Sequence, residues 1–171
     1  MRFLYHEERR LFSIGFSVSE QRLDTSHYDL LASEARIGSL VAIARGDVPA
    51  RHWLAMARPY GSIGGRRVLL SWTGTMFEYL MPLLLQKTYG NSLLDQACRE
   101  AVRLQMDYAR RRGVPWGISE SAYSDVDSNG TYQYHAFGVP GLGLKRRLGE
   151  DLVVAPYATM LSLSIAPRES V

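Results

Sequence analysis

Asn91-Ser92-Leu93-Leu94-Asp95-Gln96-Ala97-Cys98-Arg99-Glu100-Ala101-Val102-Arg103-Leu104-Gln105-Met106-Asp107-Tyr108-Ala109-Arg110-Arg111-Arg112-Gly113-Val114-Pro115 is the stretch on which the fold class turns. Asn91 and Ser92 supply a helix cap, and Leu94, Ala97, Cys98, Ala101, Leu104 and Tyr108 recur at helical spacing. Basic residues fill the last turn, and Gly113-Val114-Pro115 stops it. The pattern predicts a long amphipathic helix lying on a core.

Working toward the N-terminus, Met76 to Leu85 is apolar nearly all round, which predicts an interior helix with Pro82 early in it or kinking it. Val68 to Trp72 reads as a strand or extended entry, and Gly61 to Gly65 as a loop. Ala50 to Met56, after Pro49, reads as a short helix. From Ser26 to about Arg45 the spacing of Leu30, Glu34, Ile37 and Val41 predicts a helix that Gly46 ends. Before it, Phe3-Leu4-Tyr5 and Leu11 to Val18 suggest two short strands joined by a charged turn. Toward the C-terminus, Trp116 to Gly149 is Gly-, Ser- and aromatic-rich, and loops of that length usually carry function. A last helix is expected from Val154-Ala155-Pro156 to the end of the chain.

Composition narrows the function classes. The 171 residues are 46% hydrophobic and 22% charged, an ordinary globular balance. With 20 basic against 17 acidic residues the net charge is +3. The arginine and lysine runs at 9–10, 110–112 and 145–147 are scattered, so nucleic-acid binding is not indicated. The single cysteine, Cys98, rules out an intrachain disulfide and reads as a small buried hydrophobe. Glu7 to Arg10 interrupt any secretory leader, and the uncharged stretch Leu152 to Pro167 is too short to span a bilayer. The segment is expected to be soluble.

Three glutamates occupy positions that call for a reason. The Leu30–Ile37 stripe turns Glu34 inward, where a carboxylate is costly unless it is paired or used; a salt bridge to Arg36 or Arg51 is the bland alternative. Glu78 sits among apolar residues, as a helix-orienting acceptor or a site residue. Glu120, in Pro115-Trp116-Gly117-Ile118-Ser119-Glu120-Ser121-Ala122-Tyr123, lies on a loop framed by aromatic and small residues, as a sugar-site acid or a loop brace. Two carboxylates at one bond are what glycoside chemistry requires. Trp72, Trp116, Tyr123, Tyr132, Tyr134 and Phe137 offer faces for stacking on pyranose rings. No metal is expected: Asp125-Val126-Asp127-Ser128-Asn129-Gly130 begins like a calcium loop but has Ala136 at its twelfth position, and the four histidines lack zinc spacing. Gly138-Val139-Pro140-Gly141-Leu142-Gly143 lacks the context of a phosphate cradle.

Four strings carry a resemblance: Tyr28-Asp29-Leu30-Leu31-Ala32-Ser33-Glu34-Ala35-Arg36, Ser71-Trp72-Thr73-Gly74-Thr75-Met76-Phe77-Glu78-Tyr79-Leu80-Met81-Pro82, Gly113-Val114-Pro115-Trp116-Gly117-Ile118-Ser119-Glu120-Ser121, and Tyr132-Gln133-Tyr134 through Gly138 to Lys145. In this order they resemble the glucoamylase-like module of bacterial cyclic β-1,2-glucan synthases, which is related to β-1,2-glucanases. The likeness runs from Phe3 to about Leu163.

The resemblance implies a mainly α fold, part of an (α/α)₆ toroid of helical hairpins with a short N-terminal β-hairpin and long functional loops. It offers fewer helices than a whole toroid needs, so residues 1–171 are expected to be a fragment of one such domain. It implies transglycosylation that closes linear β-1,2-glucan into rings, with Glu34 and Glu120 as a retaining pair and Trp72, Glu78, Trp116, Tyr123, Tyr132 and Tyr134 around the substrate. Which glutamate is nucleophile and which acid/base stays open at this point. No cofactor is implied. The partners implied are the β-1,2-glucan chain and the other domains of a large synthase at the cytoplasmic side of the bacterial inner membrane. Hydrolytic endo-β-1,2-glucanase and non-catalytic glucan-binding module are the rival readings.

Overall fold

A computed structural model of the protein describes residues 2–122, 125–132 and 137–170. Its spine is the helix read first from the sequence, here α4 (Leu93–Arg112). The Ser92 hydroxyl accepts the Asp95 N–H at 3.3 Å, while the Asp95 carboxylate accepts the Asn91 N–H at 3.0 Å, so one orphan donor of the helix start and the amide just ahead of the cap are satisfied locally. Ala97, Cys98, Ala101, Val102 and Leu104 go into the main core, with Cys98 as the small buried hydrophobe expected.

Helix α3 (Met76–Leu80) crosses beneath α4 and passes into a 3₁₀ turn, Met81–Leu84, where Pro82 removes an amide donor. Around these two helices gather Val68, Leu69, Ile118, Val139, Leu142 and Ala158. Phe137, a candidate sugar platform in the sequence, is 2% exposed in this core and lines no surface.

A smaller cluster of Tyr5, Phe12, Ala42 and Val48 joins the N-terminal strands to α1 (Arg36–Ala44). There β1 (Tyr5–His6) pairs antiparallel with β2 (Leu11–Ser13), across the charged turn as expected, and β2 pairs with β5 (His27–Tyr28). Strands β3 (Phe16–Ser17) and β4 (Arg22–Leu23) form a side ribbon. Buried His52, in α2 (Arg51–Ala55), ties the cluster together by bonding the Arg10 carbonyl and the Ser39 hydroxyl.

The mainly α reading needs correction: the fold is mixed, with small sheets beside short helices. Strands of two to four residues are too short for an alternating pattern to register. Gly61 to Gly65, expected as a loop, belongs to a hairpin of β6 (Tyr60–Ile63) and β7 (Arg66–Leu69). Gly64 and Gly65 both hold positive φ at its turn, as a tight hairpin of this hand demands.

The helix expected from Ser26 begins only at Arg36. Tyr28 is claimed by the sheet, Leu30 bridges Ala57, and the Ser33 hydroxyl accepts the Ala35 N–H at 3.1 Å, a local bond that competes with helix formation. The last helix, α5 (Pro156–Leu161), stops well before the end of the chain and hands over to a 3₁₀ turn, Ser162–Ser164.

Candidate functional site

The site is built on the short helix α3, because the segments carrying Glu34 and Glu120 both bond to it. Glu78, its third residue, completes a capping box with Thr75. Its two carboxylate oxygens accept the Ser71 hydroxyl at 2.8 Å, the Trp72 and Thr73 amides at 3.0 Å, the Thr73 hydroxyl at 2.8 Å, and the Thr75 amide at 2.9 Å and hydroxyl at 3.0 Å. A carboxylate 5% exposed survives burial because its own segment surrounds it with donors. The result is a rigid 71–75 turn from which Trp72 projects, 56% exposed.

That turn is pressed from the other side by the Gly-rich segment 138–143. Leu144 N–H donates to the Ser71 carbonyl at 3.0 Å and Lys145 N–H to the Trp72 carbonyl at 2.9 Å. A methyl group on Gly138 would fall 1.7 Å from the Thr73 carbonyl oxygen, so glycine is what lets the two backbones meet.

Glu34 stands just before α1. Two residues on, the fully buried Arg36 guanidinium donates to the carbonyls of Ser33 at 3.1 Å, Glu78 at 3.1 Å and Tyr79 at 2.8 Å. A cation at the C-terminal carbonyls of α3 is electrostatically well placed, and it clamps the Glu34 turn onto that helix. Arg36 thus serves carbonyls of α3; burial pulls its pKa below the ordinary arginine value. The inward position expected for Glu34 holds, half-buried, but its cause is this turn and not a helical stripe.

Glu120 follows a segment fixed residue by residue. The buried Gln105 amide accepts the Ile118 N–H at 2.8 Å and donates to the Ile118 carbonyl at 2.9 Å and the Gly74 carbonyl at 3.2 Å. The same Ile118 carbonyl accepts the Met76 N–H at 3.1 Å, and the Ser119 hydroxyl accepts the Phe77 N–H at 3.0 Å. Tyr157 on α5 donates to the Glu120 carbonyl at 2.8 Å.

Helix α3 therefore holds one glutamate segment by its C-terminal carbonyls and the other by its N-terminal amides. The electrostatics follow from that arrangement. Burial pushes the Glu34 carboxyl above the usual carboxylate value, helped by the charge of Glu78 and opposed by its own backbone N–H, the Ser33 hydroxyl and Arg36. Burial also raises Glu120, then the charges of Glu34 and Glu78 raise it further, with no opposing contact among the described residues. Glu34 has donors that favour its charged form. Glu120 has influences that favour its proton.

The aromatics divide. Trp72 and Tyr132 are exposed, whereas Trp116 is half-buried against the main core, with its indole N–H donated to the Glu169 carbonyl at 3.1 Å. Tyr123 and Tyr134 lie outside the described residues. The Asp127 carboxylate accepts the Asn129 and Thr131 amides, each at 2.9 Å, in an ordinary turn. A cleft of about 600 Å³ lies between α4 and the β6–β7 hairpin, and neither Glu34 nor Glu120 lines it. Its Arg66 and Arg103 pair with Glu100, and Arg99 with Asp95.

Sequence reasoning missed Gln105, Ser119 and Tyr157. Gln105 had a legible signal: a polar residue on the apolar stripe of α4, one turn after Ala101. Ser119 and Tyr157 had none, because their roles exist only once α3, the 117–120 segment and α5 converge.

Trp72 stands exposed on the turn that Glu78 braces, and comparison with known proteins gives the class, a glucan-related carbohydrate-active module. The chain belongs to the family described as "Putative glucoamylase", whose model it matches over residues 26–171. It is also 51% identical over 168 residues to the cyclic β-(1,2)-glucan synthase NdvB of Rhizobium meliloti (strain 1021). That match covers 98% of this chain but 6% of the relative, so the chain spans a small part of the protein it resembles. No helix among the described residues is long and apolar enough to cross a membrane.

Proposed function

We propose that this chain carries the acid pair of a module that cuts linear β-1,2-glucan and rejoins the new end to make a ring, as one part of a cyclic β-1,2-glucan synthase. The observation that carries the reading is the opposed environment of the two glutamates: Glu34 has donors for its carboxylate, whereas Glu120 is raised by burial and by the charge of Glu34. Both carboxyls are raised by burial, so the assignment rests on the donors at Glu34, its own backbone N–H and the Ser33 hydroxyl, which favour its charged form.

In this reading the Glu34 carboxylate attacks the anomeric carbon while Glu120 gives its proton to the departing glycosidic oxygen. A glycosyl ester forms on Glu34 and the leaving glucan segment departs as an alcohol. Glu120, now ionised, takes the proton from a hydroxyl at the other end of the same chain as that oxygen displaces Glu34, which closes the ring with retention. Glu78 acts as a brace for the 71–75 turn, and Trp72 supplies the stacking face beside it. Trp116, Tyr123, Tyr132 and Tyr134 are assigned to the glucan path as well. The module works within a partial (α/α)₆ toroid completed by other parts of the protein, on the cytoplasmic side of the inner membrane.

The test is ring formation by the full-length protein supplied with linear β-1,2-glucan, scored as product resistant to β-glucosidase. Glu34→Gln and Glu120→Gln each abolish the rings if the reading holds. Accumulating reducing ends in place of rings assign the module to hydrolysis. Rings at the normal rate from both variants end it.

A further inference from the structure

We propose that Tyr157 is a positioning residue for Glu120, holding the carboxyl in reach of the glycosidic oxygen through a one-way chain of hydrogen bonds that starts at α3. The inference rests on the reading of Glu120 as the acid/base given above.

The direction of each bond follows from proton counting. The Tyr157 phenol has one proton, and the Glu120 carbonyl, which can only accept, takes it at 2.8 Å. In the 2.9 Å contact between Ser119 and Tyr157 the serine must therefore donate. The Ser119 oxygen is left to accept, and it does so from the Phe77 N–H at 3.0 Å. Phe77 amide, Ser119 hydroxyl, Tyr157 hydroxyl and Glu120 carbonyl thus form a chain with every donor pointing the same way, and such chains polarise each successive bond.

The anchoring of α5 does not depend on that hydroxyl. Ala155 and Ala158 are buried, and the Ala155 N–H donates to the Gly117 carbonyl at 3.0 Å. Tyr157 itself is 40% exposed. Its phenol is raised by burial, lowered by the Ser119 contact and raised again by the charge of Glu120, which marks it as a neighbour of the carboxyl as well as of the carbonyl. Gln105 fixes Ile118; beyond it the Phe77 N–H holds Ser119, and the Tyr157 hydroxyl is bonded to the Glu120 carbonyl.

Tyr157→Phe, made in the full-length protein, removes one hydroxyl and keeps the ring in place. The expected result with linear β-1,2-glucan is a kcat for ring formation lower by up to about 100-fold, the cost of a misplaced catalytic group, with KM little changed and thermal midpoint unaltered. The alkaline limb of the pH profile moves to lower pH, because a loosened Glu120 turn admits water and relieves the burial that raises the carboxyl. Ser119→Ala moves kcat and the limb in the same directions. Wild-type kcat and pH profile in Tyr157→Phe, with Glu120→Gln inactive, overturn the positioning role and leave the functional reading intact. Loss of activity in step with thermal stability, at an unmoved pH profile, also overturns it. Rings from Glu120→Gln at the normal rate remove the functional reading itself.

Discussion

The side-chain amide of Gln105 is bonded to the backbone of Ile118 at both of its ends, accepting the N–H at 2.8 Å and donating to the carbonyl at 2.9 Å. A polar residue with no exposed surface thus converts the most regular element of the fold, α4, into the fixed reference for the loop that carries Glu120. Gln105→Leu keeps the volume but orphans the Ile118 N–H and a bond to Gly74. Each buried group left unsatisfied costs about 1–3 kcal/mol. The expected outcome is a clearly lowered thermal midpoint together with reduced ring formation, read by differential scanning and by product analysis.

Glu78 offers a contrasting case among the three acids. Glu78→Gln replaces two acceptor oxygens by one, and the new amide protons face the donors of Ser71, Thr73 and Thr75. A stability loss of about 2 kcal/mol or more is expected, the range for breaking a buried charged hydrogen-bond network. Activity falls with stability. A variant of unchanged thermal midpoint and no activity would instead make Glu78 a direct participant.

Much of this architecture is legible in the sequence, for reasons that differ by element. Ser92, Asp95 and the apolar stripe of α4 are local signals, and the helix forms where they predict. Glu34 and Glu120 stand out as acids in apolar or aromatic settings, and both are drawn to α3. The extent of the Ser26–Arg45 helix misleads, because Tyr28 and Leu30 are claimed by distant partners, Phe12 and Ala57, that no periodicity reveals. Gly138 likewise reads as loop punctuation until Thr73 is seen against it.

Glu34 and Glu120 should make the fold less stable at neutral pH than it need be. Both folded carboxyls lie above the ordinary 4.5, so the folded state holds their protons more tightly than the unfolded chain does. Stability is therefore lost as pH rises from about that value through the folded pKa values. Glu120→Gln is expected to raise the thermal midpoint at pH 7, with a gain that shrinks as the pH is brought below 4.5. An active-site substitution that stabilises is the sign of function maintained against the fold. Equal midpoints for variant and wild type across that range would contradict it.

Gly138→Ala tests the approach of two backbones behind Trp72. The added carbon meets carbonyl oxygen, which cannot swing aside as a flexible side chain does. Misfolding or a severe loss of the folded fraction is expected, seen as aggregation or by limited proteolysis. Trp72→Ala, by contrast, removes an exposed ring and should leave the thermal midpoint nearly unchanged while raising KM for the glucan.

The central claim is that Glu34 becomes covalently bonded to sugar while Glu120 handles the proton. It is tested most directly by incubating the Glu120→Gln full-length protein with an activated β-1,2-glucosyl fluoride, whose departure needs no acid, and then digesting it for mass spectrometry. A glycosyl adduct on the peptide containing Glu34, absent from Glu34→Gln, is the predicted result. An unlabelled Glu34 peptide with fluoride nonetheless released, or an adduct on another residue, would contradict the account.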